Sequence, residues 1–282
     1  MRKSIQKIQN FKKEGKKITV LTAYDYSTAK YLDQAGVDMI LVGDSLAQVA
    51  LGYDSTTEVG MDEMLVFTRA VSRAVSRGVE SALVIADMPF MSFHIDKAQT
   101  MKNACDFIKA GANAVKMEGS SDFVVENIKH LVQNGIPVMG HIGFTPMSIN
   151  TIGGNKIQGK DADRTIDILK EALRLQSAGC FAVVLELMPL QSSQFITQRL
   201  RIPTIGIGGG KFCDGQVLVS DDLLGKYDRF KPKFARQYSS LKDIIFNVAK
   251  AFCNDVENGV FPSIKASFVL DNEEIEKLEN YR

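Results

Sequence analysis

The chain repeats one hydrophobic pattern along most of its length: a short apolar run, a polar loop, an amphipathic stretch, and a small residue followed by glycine. The apolar runs are continuous rather than alternating, which is typical of parallel β-strands that are buried on both faces. The pattern therefore predicts eight buried strands, at residues 18–23, 39–43, 82–86, 114–117, 137–141, 182–187, 204–207 and 216–219.

The stretches between these runs predict amphipathic helices. Segments 64–77 and 98–110 carry apolar residues at helical spacing with charged residues on the opposite face. Asp62 and Asp96 stand where helix N-caps are expected. Glycine can adopt the left-handed conformation that often ends a helix. We therefore expect helix ends at Gly36, Gly78, Gly111, Gly135 and Gly179.

About eight strand–helix units predict one (β/α)8 barrel (TIM barrel) domain over residues 1–282, because such barrels typically contain about 250 residues. Periodicity alone is also compatible with an open, doubly wound sheet of the Rossmann type. The lysine-rich start, residues 1–17, predicts a short solvated helix before the first strand. The segment from Asp228 onward predicts a helical C-terminal extension, with a helix at 239–256 and an acidic stretch at 272–279.

The composition indicates a globular protein with a small-molecule partner. Of the 282 residues, 45% are hydrophobic and 24% are charged, and the formal net charge is +1. Such a chain has no overall field that favours nucleic acid or an anionic membrane. It lacks a secretory signal and any apolar run long enough to span a bilayer, so we expect a cytoplasmic protein. The four cysteines show no disulfide or zinc-site spacing, and we expect buried, reduced thiols.

Acidic residues follow four of the predicted strands. In a parallel barrel the side chains just after the strands meet at one end, where active sites lie. Converging carboxylates at Asp44, Asp87 and Glu118 would repel one another unless they were paired, so they predict a divalent metal site. Oxygen ligands favour Mg²⁺, with Mn²⁺ or Co²⁺ as substitutes. Each acid taken alone could equally cap a helix.

Three further polar residues are candidates at the same end of the barrel. Glu186 lies among apolar residues, where desolvation is expected to raise its pKa and to suit a general base; a salt-bridged carboxylate is the alternative. Lys116 shares a strand face with Glu118 and could contact an anionic substrate or neutralise the acids. His141 ends the fifth run and is either a structural histidine or an accessory substrate contact.

Several short motifs follow one another in order along nearly the whole chain. They are Leu21-Thr-Ala-Tyr-Asp25, Val42-Gly-Asp-Ser45, Leu51-Gly-Tyr-Asp-Ser-Thr56, Ala86-Asp-Met-Pro-Phe90, Lys116-Met-Glu-Gly119, Gly140-His-Ile-Gly-Phe-Thr-Pro146, Thr204-Ile-Gly-Ile-Gly208 and Cys213-Asp-Gly-Gln216. Together these motifs resemble the ketopantoate hydroxymethyltransferase family. The resemblance implies a barrel of the phosphoenolpyruvate/pyruvate type and a large homo-oligomer, with a decamer expected.

The resemblance also implies a reaction and roles for the candidate residues. The implied enzyme transfers a hydroxymethyl group from 5,10-methylenetetrahydrofolate to 3-methyl-2-oxobutanoate, giving 2-dehydropantoate in pantothenate and coenzyme A biosynthesis. By resemblance, a metal is expected at Asp44, Asp87 and Glu118, the α-keto acid at Asp44, Ser45, Asp87 and Lys116, and the catalytic base at Glu186.

In the implied mechanism, the metal chelates the keto acid and stabilises its enolate, while Glu186 removes the C3 proton and the enolate attacks the one-carbon unit. One alternative is another metal-dependent α-keto acid lyase or aldolase on the same barrel, which folate-dependent product formation would distinguish. A second alternative is a non-catalytic small-molecule binding protein. Four acids at strand ends disfavour that alternative, because packing alone requires none of them there.

Overall fold

The structure is a closed barrel of eight parallel strands. This computed structural model describes residues 3–75 and 80–281. The strands are β1 (Ile18–Thr22), β2 (Met39–Val42), β3 (Leu83–Asp87), β4 (Ala114–Glu118), β5 (Val138–Gly143), β6 (Ala182–Glu186), β7 (Thr204–Ile207) and β8 (Gly215–Leu218). Neighbouring strands pair in chain order, and β8 closes the barrel by pairing with β1, where Val217 lies opposite Val20. The predicted (β/α)8 barrel is confirmed, and the alternative prediction of an open, doubly wound sheet is wrong.

Each predicted apolar run contains one strand, but some strands extend into polar sequence. β5 continues to Gly143, two residues beyond the predicted run, so His141 lies inside the strand rather than at its end. Asp87 and Glu118 are the last residues of β3 and β4. In the parallel register Asp87 lies beside Lys116, and Glu118 lies beside His141. The parallel pairing of the strands therefore continues beyond the apolar residues and includes the charged residues at the C-terminal end of the barrel.

The helices surround the barrel, and most of them connect consecutive strands. Direct packing on strands is made by the helices Met61–Ala74, Lys97–Lys109, Asp122–Gln133 and Ala162–Ser177. Single 3₁₀ turns lie at Thr56–Glu58, Pro146–Ser148 and Ile264–Ala266. The helices are α1 (Ile5–Lys13), α2 (Tyr26–Gln34), α3 (Leu46–Val49), α4 (Met61–Ala74), α5 (Lys97–Lys109), α6 (Asp122–Gln133), α7 (Ile149–Ile152), α8 (Ala162–Ser177), α9 (Leu190–Thr197), α10 (Ser220–Leu224), α11 (Leu241–Glu257) and α12 (Asn272–Glu279).

Two apolar clusters bury the two faces of the strands. On β2, Met39 and Leu41 belong to the cluster inside the barrel, whereas Ile40 and Val42 belong to the cluster between the barrel and its helices. Because most strand positions are buried on both faces, the strand sequences are largely apolar, as predicted. The exceptions are the polar residues near the strand ends and the exposed residues of β1 and β8.

The N-terminal helix α1 contributes to the core. Ile8 and Phe11 are 0% and 3% exposed, and they join the cluster inside the barrel. The predicted solvated helix is therefore wrong for this face, because an i, i+3 apolar pair is hidden among the lysines. Before the helix, the buried Lys3 Nζ lies 2.9 Å from Asp38 Oδ1, which fastens the start of the chain to the residue just before β2.

Helix termini agree with most of the sequence predictions. Gly36, Gly111, Gly135 and Gly179 each have φ between +83° and +104°, which confirms four left-handed helix ends. Gly78, with the end of the predicted 64–77 helix, lies outside the described residues.

The predicted N-cap is confirmed for α5 and wrong for α4. Asp96 accepts the backbone N–H of Gln99 at 2.7 Å and caps α5. α4 begins earlier than predicted, with Gly60 rather than Asp62 as its N-cap. Glu63 accepts the Gly60 N–H at 2.9 Å, so an acid inside the first turn replaces the capping side chain.

The outer layer of helices is incomplete beside β8 and β1. In the described ranges, β7 and β8 are connected without a helix, and the first helix after β8 is the five-residue α10. The register neighbours Thr19 on β1 and Gln216 on β8 are both exposed. The predicted C-terminal extension contains α11 and α12, and α11 has no buried residue.

The helices and cysteines bear on two further expectations. No helix within residues 3–75 and 80–281 combines the length and apolarity needed to cross a bilayer.

The cysteines are free thiols, and Cys180 and Cys213 are buried as expected. Cys105 is only half-buried and Cys253 is exposed on α11, so the expectation of burial is wrong for these two.

Candidate active site

All of the residues predicted for the site line one cavity at the C-terminal end of the strands. The cavity has a volume of about 690 Å³, within the range of about 300–1,000 Å³ that is typical of small-molecule sites. The predicted residues lie on or directly after the consecutive strands β2 to β6. They are Asp44, Ser45, Asp87, Lys116, Glu118, His141 and Glu186.

Lys116 is the centre of the charged network. Its Nζ donates to both carboxylate oxygens of Asp87, at 2.7 and 2.6 Å, and lies 3.3 Å from Glu118 Oε1. None of these three side chains is more than 5% exposed. Of the two roles that the sequence left open for Lys116, neutralisation of the acids is visible in this geometry, while a substrate contact stays a prediction.

His141 connects Glu118 with Glu186. Its Nδ1 lies 3.1 Å from Glu118 Oε1, and its Nε2 lies 3.2 Å from Glu186 Oε2. The second contact is close enough for an ion pair but is not aligned as a hydrogen bond, since Nε2 has no hydrogen-bond partner among the described residues. The Met147 N–H donates to the other Glu118 oxygen at 3.2 Å. Both oxygens of Glu118 are therefore already engaged.

Burial and neighbouring charges set the proton affinities of the network. Burial, reinforced by the Asp87 and Glu118 carboxylates, holds the pKa of Asp44 well above its ordinary value. Burial also raises the pKa of Asp87, although Lys116 opposes this. At Glu118 burial acts upward, but Lys116 and His141 lower the pKa to about 2. At His141 burial acts downward, but Glu118 raises the pKa to about 9. An ionised Glu118 therefore faces a protonated His141 at neutral pH.

Asp44 has an unsatisfied carboxylate oxygen. Its Oδ2 is buried and has no hydrogen-bond partner in the described part of the chain. Its backbone N–H donates to Asp87 Oδ2 at 3.3 Å, which holds the two aspartates together. A buried, unpartnered carboxylate oxygen is costly, and a bound cation would satisfy it.

The donor set fits a divalent cation, but not through three direct carboxylate ligands in this arrangement. Across residues 3–75 and 80–281, no three Asp, Glu, His or Cys side chains are grouped so that they could hold a metal ion. Lys116 lies between Asp87 and Glu118, and the Glu118 oxygens are already engaged. The unpartnered Asp44 Oδ2 and the adjacent Asp87 carboxylate are the oxygens available to a divalent cation, whose charge would oppose the repulsion between these acids.

Glu186 opens toward the cavity at the end of β6. Its side chain is 16% exposed and lies 3.2 Å from Nε2 of His141, a contact of the kind that the salt-bridged alternative describes, while its role as a base stays a prediction. The next residue, Leu187, has a φ of +48°, which is rare for leucine. Its backbone N–H donates to Ile207 O at 2.9 Å, and its carbonyl accepts the Gln158 N–H at 2.8 Å. Backbone strain that is kept in place by surrounding hydrogen bonds often marks a functional site.

Two residues of this end of the barrel were missed in the sequence. The Tyr24 hydroxyl lies 2.8 Å from Ser45 Oγ, and Asp222 lines the cavity. Tyr24 comes after β1, and Asp222 comes after β8. The rule applied to the other strands, that polar residues after a strand form the site, would have found both.

A closed (β/α)8 barrel that gathers acids, a lysine and a histidine around a cavity at its strand ends defines the class: a barrel enzyme. Residues 2–264 match the family model described as Ketopantoate hydroxymethyltransferase. The 3-methyl-2-oxobutanoate hydroxymethyltransferase of Acetivibrio thermocellus is 51% identical over 272 residues, covering 96% of this chain and 94% of that protein. The enzyme of the same name from Thermoanaerobacter sp. is 48% identical over 268 residues, covering 95% and 96%. The chain belongs to the ketopantoate hydroxymethyltransferase family, a family of transferases, as its motifs predicted.

Solved structures confirm the type of barrel. Phosphonopyruvate hydrolase, in its complex with oxalate and Mg²⁺, has a TM-score of 0.60 at 13% identity, covering 99% of this chain and 95% of that one. 2,3-Dimethylmalate lyase, a member of the PEP mutase/isocitrate lyase superfamily, has a TM-score of 0.58 at 14% identity, with coverage of 99% and 95%. At this identity the likeness shows the fold alone, whereas the family match favours a transferase over the lyase alternative.

Proposed function

We propose that the protein transfers a hydroxymethyl group from 5,10-methylenetetrahydrofolate to 3-methyl-2-oxobutanoate and forms 2-dehydropantoate in pantothenate biosynthesis. Family membership supports this reaction. The observation that carries the proposal is that the Asp44–Asp87 pair and Glu186 line the same cavity. The reaction needs both parts, because one carboxylate must accept a proton while others hold a cation near the developing negative charge.

The proposed metal position lies at Asp44 and Asp87. Glu118 would contact the ion through water, because His141 and Met147 already engage its oxygens. Mg²⁺ is the proposed ion, with Mn²⁺ or Co²⁺ as substitutes, because carboxylate oxygens suit these cations; phosphonopyruvate hydrolase, which shares the fold, was solved with Mg²⁺. When bound, the cation supplies positive charge for the keto oxygen of the substrate.

Three side chains are proposed to hold the keto acid beside this position. The ammonium of Lys116 is positioned by Asp87 and can attract the anionic substrate. The Ser45 hydroxyl is oriented by Tyr24 and can donate to a substrate oxygen. Asp44 and Asp87 would act through the cation that they hold.

Glu186 is proposed to take the proton from C3 of the keto acid. The C–H bond breaks, its electron pair moves toward the keto group, and C3 then forms a bond to the one-carbon unit. Before that bond forms, water adds to the methylene carbon of the folate, both C–N bonds of this carbon break, and tetrahydrofolate leaves with the two protons of the water on its nitrogens. The carbonyl oxygen that remains on the one-carbon unit takes up the proton removed from C3 and becomes the hydroxyl group. His141, held by Glu118, contacts Glu186 Oε2 at 3.2 Å and restricts the orientation of that carboxylate.

Exchange of the C3 hydrogen with deuterated water tests the role of Glu186. The wild-type protein should catalyse exchange only with the metal present. Glu186→Gln should slow it by about 100-fold or more, since a general base contributes about 10²–10⁴-fold. Mg²⁺ affinity, measured by calorimetry, should survive, and Glu126→Gln, at an exposed glutamate, serves as the matched control. Undiminished exchange in Glu186→Gln would remove this residue from its role.

Omission of folate tests the transfer reaction itself. The purified protein should form 2-dehydropantoate only when the keto acid, the metal and methylenetetrahydrofolate are all present. Cleavage of a longer keto acid without folate would instead support the lyase alternative. Keto acid binding with neither exchange nor turnover would support the non-catalytic alternative.

A homo-oligomer is also part of the proposal, with a decamer as the assembly that the family resemblance implies. α11 displays an exposed apolar face, and the barrel surface at Thr19 and Gln216 lacks a covering helix. A second copy of the chain can satisfy both surfaces at once, because each copy offers the helix and the surface. The face of α11 consists of Ile244, Ile245, Val248 and Phe252, which are 54%, 50%, 64% and 55% exposed.

A further inference from the structure

The site cavity has a second side that the charged network does not use. In a closed barrel of eight strands, β8 lies opposite β4, the strand that carries Lys116 and Glu118. The connection after β8 therefore faces the network across the cavity. Its lining residues are Asp222, Tyr227, Phe230, Pro232, Lys233 and Phe234.

This connection is fastened on both sides of the cavity mouth. The Tyr238 N–H donates to Leu223 O at 2.8 Å, which returns the segment to α10. Arg229 Nη1 donates to Gly52 O at 3.3 Å and lies 3.7 Å from Asp54 Oδ1, in the connection that follows β2. The segment 226–234 thus spans the mouth from β8 toward β2 and forms a wall of the cavity.

Asp222 is a half-buried carboxylate that accepts no hydrogen bond from the residues that the structure describes. Within the described ranges its side chain has neither a hydrogen bond nor an ion pair, whereas Asp221 lies 3.1 Å from Lys226 Nζ. Burial, and then the charge of Asp221, raises the pKa of Asp222 to about 6. An ionised carboxylate only accepts hydrogen bonds, and it can accept two from parallel N–H groups.

The residues around Asp222 suit a flat and partly anionic ligand. Phe234 packs against the backbone of Gly208, where an added Cβ would lie 2.9 Å from the ring. Phe230 is 59% exposed although it lines the cavity. Lys233 is exposed at the rim and has no ion-pair partner in the part of the chain that is described. Aromatic side chains bind flat rings by stacking, and an ammonium group attracts carboxylates.

We propose that this wall is the subsite for the one-carbon donor, in which Asp222 accepts two N–H groups from the aminopyrimidine edge of a reduced pteridine. Phe230 and Phe234 contact the ring, and Lys233 meets a carboxylate of the glutamate tail. The inference rests on the proposed function, which requires a folate co-substrate. It places the two substrates on opposite sides of one cavity.

Binding of two reduced pterins separates the roles of Asp222 and Lys233. The probes are tetrahydrofolate and 6-methyltetrahydropterin, which lacks the tail, titrated anaerobically into protein that is saturated with Mg²⁺ and 3-methyl-2-oxobutanoate. Asp222→Asn should weaken both probes by about 10- to 100-fold, as expected for lost hydrogen bonds to a charged group. Lys233→Gln should weaken tetrahydrofolate alone, by about 2- to 5-fold, because the pair is exposed.

Two further variants complete the experiment. Phe230→Ala should weaken both probes, and its exposed position favours retention of the fold. Asp228→Asn removes a carboxylate of the same segment that does not line the cavity, and it should bind both probes like the wild type. Exchange of the C3 hydrogen, which needs no folate, reports whether each variant is folded.

The outcomes distinguish the subsite from the reaction. Full affinity of Asp222→Asn for both probes, with the wild type binding them, would overturn the subsite and leave the proposed function intact. Absence of tetrahydrofolate binding to the wild type would overturn the folate-dependent function and the subsite with it. Equal losses in Asp222→Asn and Asp228→Asn would also overturn the subsite, since the effect would not belong to the cavity wall.

Discussion

Asp44 combines burial with an unpartnered oxygen, so replacing its carboxylate should stabilise the metal-free protein. Its pKa is raised in the folded state, which means that folding favours the protonated form. The associated stability is present below the unfolded pKa, about 3.9, and is lost as pH rises through the folded pKa. Asp44→Asn avoids this loss. In EDTA its melting temperature should exceed that of the wild type by more at pH 8 than at pH 5.

The same variant should lose the response to metal. Added Mg²⁺ should raise the melting temperature of the wild type by mass action and leave Asp44→Asn unchanged. A shift of about 2–4 °C corresponds to about 1 kcal/mol in a chain of this size class, which scanning calorimetry resolves. A pH-independent difference between the two proteins would contradict the account of Asp44.

At the residue scale, the sequence predicted which side chains meet but not how they pair. Strand ends converge in any parallel barrel, so the acids, Lys116 and His141 could be placed together from their positions in the chain. Their partners depend on the register between strands, which puts Asp87 beside Lys116 and Glu118 beside His141. Apolar neighbours along the chain suggested a desolvated Glu186, whereas its actual neighbour comes from another strand.

At the element scale, β5 and β6 approach each other closely at Gly143. This residue has a φ of +94°, and an added Cβ would lie 2.4 Å from Glu186 O. Gly143→Ala should therefore displace the backbone that carries Glu186. Misplacement of a catalytic group by about 1 Å can cost about 100-fold in rate. We expect C3 hydrogen exchange to fall by at least about 10-fold, together with a lower melting temperature.

Gly135→Ala is the matched control for this prediction. Gly135 also has a positive φ, +83°, but its added Cβ would meet nothing within 4 Å. The variant should lose about 1 kcal/mol of unfolding free energy through backbone strain and keep its exchange rate. Equal exchange rates in the two variants would show that the contact with Glu186 is unimportant.

Strands and helices were predictable from the sequence where a single local feature, such as a continuous apolar run, determines the structure. Eight continuous apolar runs predicted the strands because both faces of most strands are buried; β1 and β8 each keep one exposed residue, Thr19 and Gln216. The start of α4 was misjudged because Gly60 has no side chain to mark a cap, and Glu63 supplies the hydrogen bond from inside the helix. The burial of α1 was missed because its lysines mask Ile8 and Phe11.

At the scale of the whole molecule, the barrel accounts for the position of the site residues but not for the packing of the C-terminal helix α11. The closed sheet fixes five consecutive strands around one cavity, and the connection after β8 completes the wall. α11 has helical periodicity in its apolar residues yet buries none of them against its own barrel. An amphipathic helix gains most of its stability from packing of its apolar face. Contacts beyond a single copy are therefore expected to hold α11 in place.

Charge placed on the apolar face of α11 should break this assembly. Ile245→Glu combined with Val248→Glu puts two carboxylates where a second copy would have to desolvate them, so the variant should dissociate. Asn254→Glu adds a charge on the opposite face of the same helix and serves as the control. Sedimentation should show a large oligomer for the wild type and the control, and a smaller species for the double variant. A double variant that retains the wild-type mass would mean that α11 lies outside the interface. Because the site cavity belongs to one barrel, the dissociated protein should still exchange the C3 hydrogen.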